Sequence, residues 1–361
     1  MAESFHQQYM ARAIQLAEKP HMSPHPNPRV GCVIVKNGKV VGEGFHAYAG
    51  GPHAEVNALA MAGDQAFGSD VYVSLEPCCF HGRTPPCVEA LLKAQVSKVI
   101  VGMLDPNPKV AGKGVSLLQQ AGVTVVSEVL AEQAAELNKG FIQRMTLGRP
   151  WVRCKMAMSL DGRTALANGE SQWITGAAAR QDVQRYRARS DAILTGIGTV
   201  LSDNPRMTIR SHKVKRQPMR IIVDSELRLS PEKQIVKEPG DVLLATLVDD
   251  EKAYPENVTV KQFPAGETGI DLLALMKFLG EQEINEVQVE AGATLCGALL
   301  QAQLIDELVL YMVSTLLGDS ARGLFALPEL TAMQDKISLH CLDLRRVGED
   351  FRFIMQPLYE A

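Results

Sequence analysis

Two short stretches hold residues that could do chemistry together. GPHAEVNALA places His53 and Glu55 two residues apart, and SLEPCCFHGRTPPC holds Cys78, Cys79 and Cys87, of which Cys78 and Cys87 each follow a proline. Imidazole, thiolate and carboxylate are the groups that hold zinc. A catalytic zinc keeps three protein ligands and leaves its fourth place to water, whose pKa it lowers towards 7. His53 with two of the cysteines meets that count. Pro52 suits a helix start, and a helix beginning at about His53 puts Glu55 in its first turn, in reach of the same site as acid and base rather than ligand. Cys78 closes the apolar run VYVSLEP, and neighbours on an extended chain face opposite ways. Cys78 and Cys87 are therefore the expected thiolates, with Cys79 pointing elsewhere. The competing readings are a closed structural site with Cys79 as fourth ligand, or a set of buried free thiols. A closed site leaves Glu55 without a purpose.

The order H-x-E followed by P-C is that of zinc deaminases, which carry a second cysteine three residues after the first. Here that position is His81, and the next cysteine is Cys87. With that departure noted, PNPRVGCVIV, GPHAEVNAL, SLEPCCFHGRTPPC and DPNPKVAGKG resemble the deaminase half of the RibD family. These are bifunctional riboflavin-biosynthesis enzymes in which a diaminohydroxyphosphoribosylaminopyrimidine deaminase is joined to a reductase. The family spaces its cysteines more widely than cytidine deaminases do and uses the one directly after the proline, which implies Cys78 as ligand. SLDGRTA, ESQWITG, RARSDAILTG, TVLSDNPRMTIR and VEAGATL resemble the reductase half, so the similarity runs over nearly the whole chain. It implies a cytidine-deaminase-like three-layer α/β/α domain followed by a dihydrofolate-reductase-like α/β domain, one zinc per chain, and NADPH. It also implies two steps. The 2-amino group of 2,5-diamino-6-ribosylamino-4(3H)-pyrimidinone 5′-phosphate is replaced by oxygen, and the ribosyl chain is then reduced to ribityl.

In the second half, QVEAGATLCGAL reads as strand, Gly-containing turn and helix. Such a turn can aim backbone N–H groups at a phosphate, or it can be an ordinary strand-to-helix connection. G-x-G-x-x-G is absent. TGIGTVLSDNP is a second Gly-rich segment of the same kind. The resemblance implies that Gly292, Ala293, Thr294, Leu295, Cys296, Gly297 and Ala298 run along the cofactor diphosphate. By position in the matching motifs, Ala157, Trp173, Thr199, Asp203 and Ser225 line the cofactor, and Ser171, Arg187, Met207, Arg210 and Glu290 hold the sugar phosphate. Lys155 and Asp161 lie near the same strand without an assigned step.

The elements that must position these residues follow from periodicity. RVGCVIVK and KVVGEGF are β-rich runs separated by Asn37-Gly38, a strong hairpin signal because both residues tolerate positive φ. Helix from about His53, strand DVYVSLE, helix near 85–94, strand KVIVGM, helix near 113–121, strand VTVVSE and helix near 131–146 complete a layered α/β region. TLGRPWVRCK punctuates the chain, and strand–helix alternation restarts with WVRCKMAMS and ends on the strand FRFIMQ. The expected domains are 1–147, a zinc-dependent pyrimidine deaminase, and 148–361, an NADPH-dependent reductase.

A chain of 361 residues with 46% apolar and 22% charged residues is long enough for two cores and ordinary for a soluble protein. One alternative is a deaminase of nucleosides or tRNA bases with an unrelated C-terminal domain; the net charge of −4 argues against a nucleic-acid partner and hence against its tRNA form, which would show a basic surface. Seven cysteines, an odd number, and no signal-peptide pattern at the N-terminus argue for reducing cytoplasm. No apolar run approaches the ~18 residues that span a membrane. The expected partner is a small-molecule pyrimidine ribosyl phosphate, with no nucleic acid and no membrane, in a homo-oligomer with a dimer favoured. The remaining alternative, a zinc-stabilised scaffold with no activity, again gives Glu55 nothing to do.

Overall fold

Asn37 and Gly38 take positive φ, 51° and 75°, and fold the expected hairpin. They do so in a computed structural model that describes residues 2–19, 24–82, 84–171, 173–210, 216–249 and 252–359. The chain divides into two units, Met1–Gly148 and Arg149–Ala361. The first contains α1 (Ala2–Ala17), β1 (Gly31–Lys36), β2 (Lys39–Phe45), α2 (Ala54–Ala62), β3 (Asp70–Leu75), α3 (Cys87–Lys93), β4 (Lys98–Met103), α4 (Lys113–Gln120), β5 (Thr124–Val126), α5 (Ala131–Glu136) and α6 (Lys139–Leu147). Its sheet runs β2-β1-β3-β4-β5, antiparallel around β1 and parallel from β3 to β5.

Successive residues of a strand face opposite sides, and β1 is apolar on both. Cys32 and Ile34 join Ala54, Ala58, Val73, Val88 and Leu91 in one core. Val33 and Val35 join Met10, Ala13 and Leu16 in the other. The result is a three-layer α/β/α unit. The helix expected over 131–146 is broken into α5 and α6. At the break Asn138 is buried, accepts from Arg29 N at 2.8 Å and donates to Arg29 O at 2.9 Å. A side-chain amide that pairs with a distant backbone like a strand neighbour outweighs local helical periodicity.

The second unit contains β6 (Trp151–Ser159), β7 (Arg163–Ala165), α7 (Ala177–Arg189), β8 (Ala192–Gly196), α8 (Ile197–Asp203), β9 (Met219–Val223), α9 (Gln234–Lys237), β10 (Val242–Thr246), β11 (Val258–Gln262), β12 (Ala265–Gly266), β13 (Gly269–Ile270), α10 (Leu272–Glu281), β14 (Glu286–Val289), α11 (Ala293–Gln301), β15 (Glu307–Val313), β16 (Arg322–Gly323), β17 (Ser338–Val347) and β18 (Asp350–Leu358). Nine of these strands form one sheet, β11-β10-β9-β8-β14-β6-β15-β18-β17. The seven from β11 to β15 are parallel, and β18 and β17 add an antiparallel hairpin. Its main core joins Cys154, Val289, Leu275, Leu279, Cys296 and Leu299. β17 was not expected from the sequence. It is an edge strand with most of its residues exposed, so it lacks the buried face that a hydrophobic pattern reports.

Candidate active sites

In the first unit two helix starts converge on one strand end. His53 is the N-cap of α2, with extended φ and ψ of −70° and 164°. Cys87 is the first residue of α3, behind Pro86. Cys78 follows β3 by three residues, and its Sγ accepts from Cys87 N at 3.3 Å. α2 reaches its place because a Cβ at Gly44 would stand 2.2 Å from Ala54 O, and one at Gly42 2.2 Å from Ala58 O. The two glycines of KVVGEGF let the helix lie directly on β2.

His53 Nδ1 lies 3.1 Å from Cys87 Sγ and 3.5 Å from Cys78 Sγ, and all three ligand atoms fall within 4.8 Å of one another. A tetrahedral ion with metal–nitrogen distances of ~2.0 Å and metal–sulfur distances of ~2.3 Å sets nitrogen and sulfur about 3.5 Å apart. The donor set and spacing therefore fit zinc. The electrostatics fit as well. Hydrogen bonds from Cys87 and from His53 hold the Cys78 thiol down at about 4 against the cost of burial. Cys87, bonded to Cys78 and buried, is pushed up. Two sulfurs that compete for one negative charge are a pair that a dication would let ionise together. Cys79 turns aside, its Sγ 3.9 Å from Lys109 O.

Glu55 lies in the first turn of α2 and is buried. Burial first, and then the Cys78 thiolate, push its carboxyl up to about 7, with His53 opposing.

Four further residues frame this site and were not expected from the sequence. Thr84 Oγ1 is 3.1 Å from His53 Nε2. His46 packs edge-on against the His53 ring at 5.2 Å, with Nδ1 3.1 Å from Pro52 O and Nε2 3.0 Å from Asn27 Nδ2. Nδ1–H donating to the carbonyl and Nε2 accepting from the amide define a neutral ring. Its pKa is lowered, chiefly by burial. Glu76 is buried and accepts from Asp105 N at 3.1 Å, Gly112 N at 2.9 Å and Val115 N at 3.1 Å, which ties down the DPNPKVAGKG segment. Polar residues inside the Pro- and Gly-rich runs PNPRVG and GFHAYAGG were a usable signal for Asn27 and His46. Nothing local marked Thr84.

In the second unit Ala157, Thr199, Asp203, Ser225, Glu290 and residues 292–298 lie near or just beyond the C-terminal ends of the parallel strands, the usual place for a ligand crevice in such a sheet. Gly292 caps α11 just beyond β14. Gly292 and Thr294 are exposed, whereas Cys296 and Gly297 face the core. A Cβ at Gly297 would stand 2.1 Å from Ala326 O. Thr199 lies on α8 after β8, Asp203 ends α8, and Ser225 follows β9, so the adjacent strands β14, β8 and β9 deliver all of these. Ala157 lies on β6. Ser171 is half-buried, and Trp173 is exposed with the Arg180 guanidinium 4.9 Å from its ring centre.

Arg187, Met207 and Glu290 meet. Arg187 Nε and Nη2 donate to the two oxygens of Glu290 at 2.7 and 2.8 Å, Nη1 donates to Thr208 O at 2.8 Å, and Met207 Sδ is 3.7 Å away. Met207 takes a left-handed φ of 51°. Burial alone would raise the Glu290 pKa, but Arg187 and then Lys155 bring it down to about 2. Burial lowers the Lys155 pKa, and Glu290 opposes this. Arg210 is exposed, and its backbone N donates to Gln184 of α7 at 2.8 Å. Asp161 accepts from Leu317 N and Gly318 N, at 3.2 and 2.8 Å, and so holds the loop after β15.

Comparison with known proteins now bears on both units. Residues 3–103 match the cytidine and deoxycytidylate deaminase zinc-binding region, and residues 150–353 match the RibD C-terminal domain. The riboflavin biosynthesis protein RibD of Escherichia coli is 50% identical over 354 residues, which is 95% of this chain and 96% of that one. Acinetobacter baumannii RibD superposes with a TM-score of 0.91 at 45% identity, covering 99% of this chain and 100% of the other. A diaminohydroxyphosphoribosylaminopyrimidine deaminase/5-amino-6-(5-phosphoribosylamino)uracil reductase from Thermotoga maritima superposes at 0.90 with 32% identity, covering 99% and 100%. The deaminase-like and reductase-like fold classes expected for the two halves hold. With both halves matched and the identity sustained from end to end, the chain belongs to the RibD family.

Proposed function

We propose that this chain carries out both reactions named for its Thermotoga relative. Residues 1–147 form a zinc-dependent pyrimidine deaminase, and residues 148–361 an NADPH-dependent reductase. The substrate is 2,5-diamino-6-ribosylamino-4(3H)-pyrimidinone 5′-phosphate and the final product 5-amino-6-ribitylaminouracil 5′-phosphate. The observation that carries the first half is the His53–Cys78–Cys87 cluster, with the buried Glu55 carboxyl in the first turn of the helix that His53 caps.

His53 Nδ1, Cys78 Sγ and Cys87 Sγ would hold the zinc, which when bound would acidify a water and so supply a nucleophile at neutral pH. Glu55 takes a proton from the attacking water on a carboxylate oxygen and delivers it to the ring nitrogen next to the reacting carbon; it then takes the proton of the hydroxyl now on that carbon and gives it to the departing amine, so that the C–N bond breaks as the carbonyl forms and ammonia leaves. His46, kept neutral between Asn27 and Pro52, presents no competing cation to His53.

In the second unit residues 292–298 at the start of α11 would hold the cofactor diphosphate, the exposed Gly292 and Thr294 facing it while Cys296 and Gly297 back the turn against the core, and Ala157, Trp173, Thr199, Asp203 and Ser225 would line the rest of the cofactor. NADPH supplies the hydride. Ser171, Arg187, Met207, Arg210 and Glu290 line the substrate site, where the phosphate falls to the cations Arg187 and Arg210 and not to the Glu290 carboxylate. Because Glu290 already matches the Arg187 charge, the exposed Arg210 guanidinium carries most of the phosphate charge.

The decisive experiment offers the diaminopyrimidine substrate with and without NADPH and identifies the products by mass. Exchange of an amine for oxygen without NADPH, and addition of a hydrogen pair with it, is the expected result. Ammonia release from free cytidine but not from this substrate would overturn it.

A homo-oligomer, most simply a dimer, is supported by β17. This strand of 10 residues borders the large sheet and exposes Leu339, Leu342 and Leu344; a long bare edge of this kind invites pairing. Light scattering tests this. All seven cysteines are free thiols, which supports a reducing, cytoplasmic setting. Among the described residues no helix is long and apolar enough to cross a membrane.

A further inference from the structure

The wide spacing between the two cysteines leaves a residue for a second task. We propose that Thr84 is a positioning residue for the ligand ring of His53, and that the long connection between Cys78 and Cys87 serves to deliver it. This rests on the reading of His53, Cys78 and Cys87 as the zinc ligands.

His53 turns Nδ1 towards both sulfurs, at 3.1 and 3.5 Å, so Nδ1 is the atom that gives its lone pair to the ion. A neutral imidazole that ligates through one nitrogen carries its proton on the other. Nε2–H therefore points out of the site, and the group it meets is Thr84 Oγ1 at 3.1 Å. The hydroxyl accepts that hydrogen. A rotation of the ring by half a turn about Cβ–Cγ would exchange Nδ1 for a carbon and break this bond, so the bond selects the ligating orientation.

The connection is pinned at its C-terminal end. Cys87 N donates to Cys78 Sγ at 3.3 Å and Val88 N to Cys78 O at 3.2 Å. Within it Gly82 N donates to Thr84 O at 3.2 Å. A spacing of only two residues between the cysteines would leave no chain to pass around the far edge of the imidazole. The wider spacing, eight residues between Cys78 and Cys87, leaves chain for Thr84 to place a hydroxyl there.

Partners that fix a ligating histidine typically change metal affinity by about 10–100-fold. Thr84→Val keeps the shape, removes the acceptor and excludes a replacement water. Thr84→Ala leaves room for a water to take over part of the role, and Thr84→Ser keeps the hydroxyl. The test measures zinc affinity of the full-length protein by chelator competition, with Co2+ absorption as a second reading of ligand geometry. Thr84→Val should lose about 10-fold or more and alter the Co2+ spectrum. Thr84→Ala should lose less, and Thr84→Ser should match the parent protein. Equal affinity in Thr84→Val and the parent, or equal losses in Thr84→Val and Thr84→Ser, would overturn the proposal. Should Thr84→Val perturb the far-ultraviolet circular dichroism, the Ala and Ser pair decides, and equal affinity in those two overturns it. A parent protein whose zinc binding survives His53→Ala would instead mean that the ligand set itself is wrong.

Discussion

Replacing Glu290 with Gln should unfold the second unit at lower urea without changing how it unfolds. The carboxylate is buried to the same degree as its partner, with side-chain exposures of 11% each for Arg187 and Glu290. Its pKa is drawn from an ordinary 4.5 to about 2. A depression of that size corresponds to roughly 3 kcal/mol of stability at neutral pH. Breaking a buried pair by removing one partner costs about 3–5 kcal/mol by a separate line of experience. The amide keeps the shape and one acceptor, so the lower figure of about 3 kcal/mol applies. Arg187 then stays buried without its anion, and Lys155 faces it unopposed.

The chain has only two tryptophans, Trp151 and Trp173, both in the second unit, so tryptophan fluorescence follows that unit alone. With a urea dependence of about 2 kcal/mol per molar, the midpoint should fall by about 1.5 M at unchanged slope. The pH dependence has a definite sign. Glu290 has a depressed folded pKa, so its contribution is complete above about 4.5 and is lost as pH falls towards about 2. The difference between parent and variant should shrink over that window. Adding Arg187→Met to Glu290→Gln removes the stranded charge and should restore part of the stability. A midpoint shift under about 0.3 M, or a parent–variant difference that is flat from pH 7 to pH 2, would refute this account.

Glu55→Gln should keep zinc and lose deamination by at least the roughly 10²–10⁴-fold typical of a positioned acid–base group, while reduction of the already deaminated substrate persists; zinc content and the two half-reactions measure this. Cys78→Ser and Cys87→Ser should lose zinc, whereas Cys79→Ser should keep it, as read by metal analysis; a loss on Cys79→Ser would point to a four-ligand closed site. Arg210→Ala should raise the reductase KM for the ribosylamino substrate by roughly 10- to 150-fold, the value of one charged hydrogen bond, and leave the KM for NADPH nearly unchanged. A rise in the NADPH KM instead would move Arg210 to the cofactor.

His53, Glu55, Cys78 and Cys87 could be picked out of the sequence because each is a reactive group beside a proline or at a helix start, and only certain groups bind zinc. The hairpin at Asn37-Gly38 and the strands with two buried faces were legible for a similar reason: φ tolerance and an unbroken apolar run are local properties of a few adjacent residues. What only the tertiary structure decided are partnerships across long stretches of chain. Arg187 and Glu290, 103 residues apart, neutralise each other, where motif position alone gave each the same duty towards a phosphate. Asn138 breaks a helix to pair with Arg29 across 109 residues. Thr84 is a plain loop residue until the fold sets His53 Nε2 beside it. Such pairings depend on where packing brings backbones together, and no window of sequence holds both members. β17 stayed hidden for the opposite reason: a strand exposed along most of its length carries no buried face for a pattern to reveal.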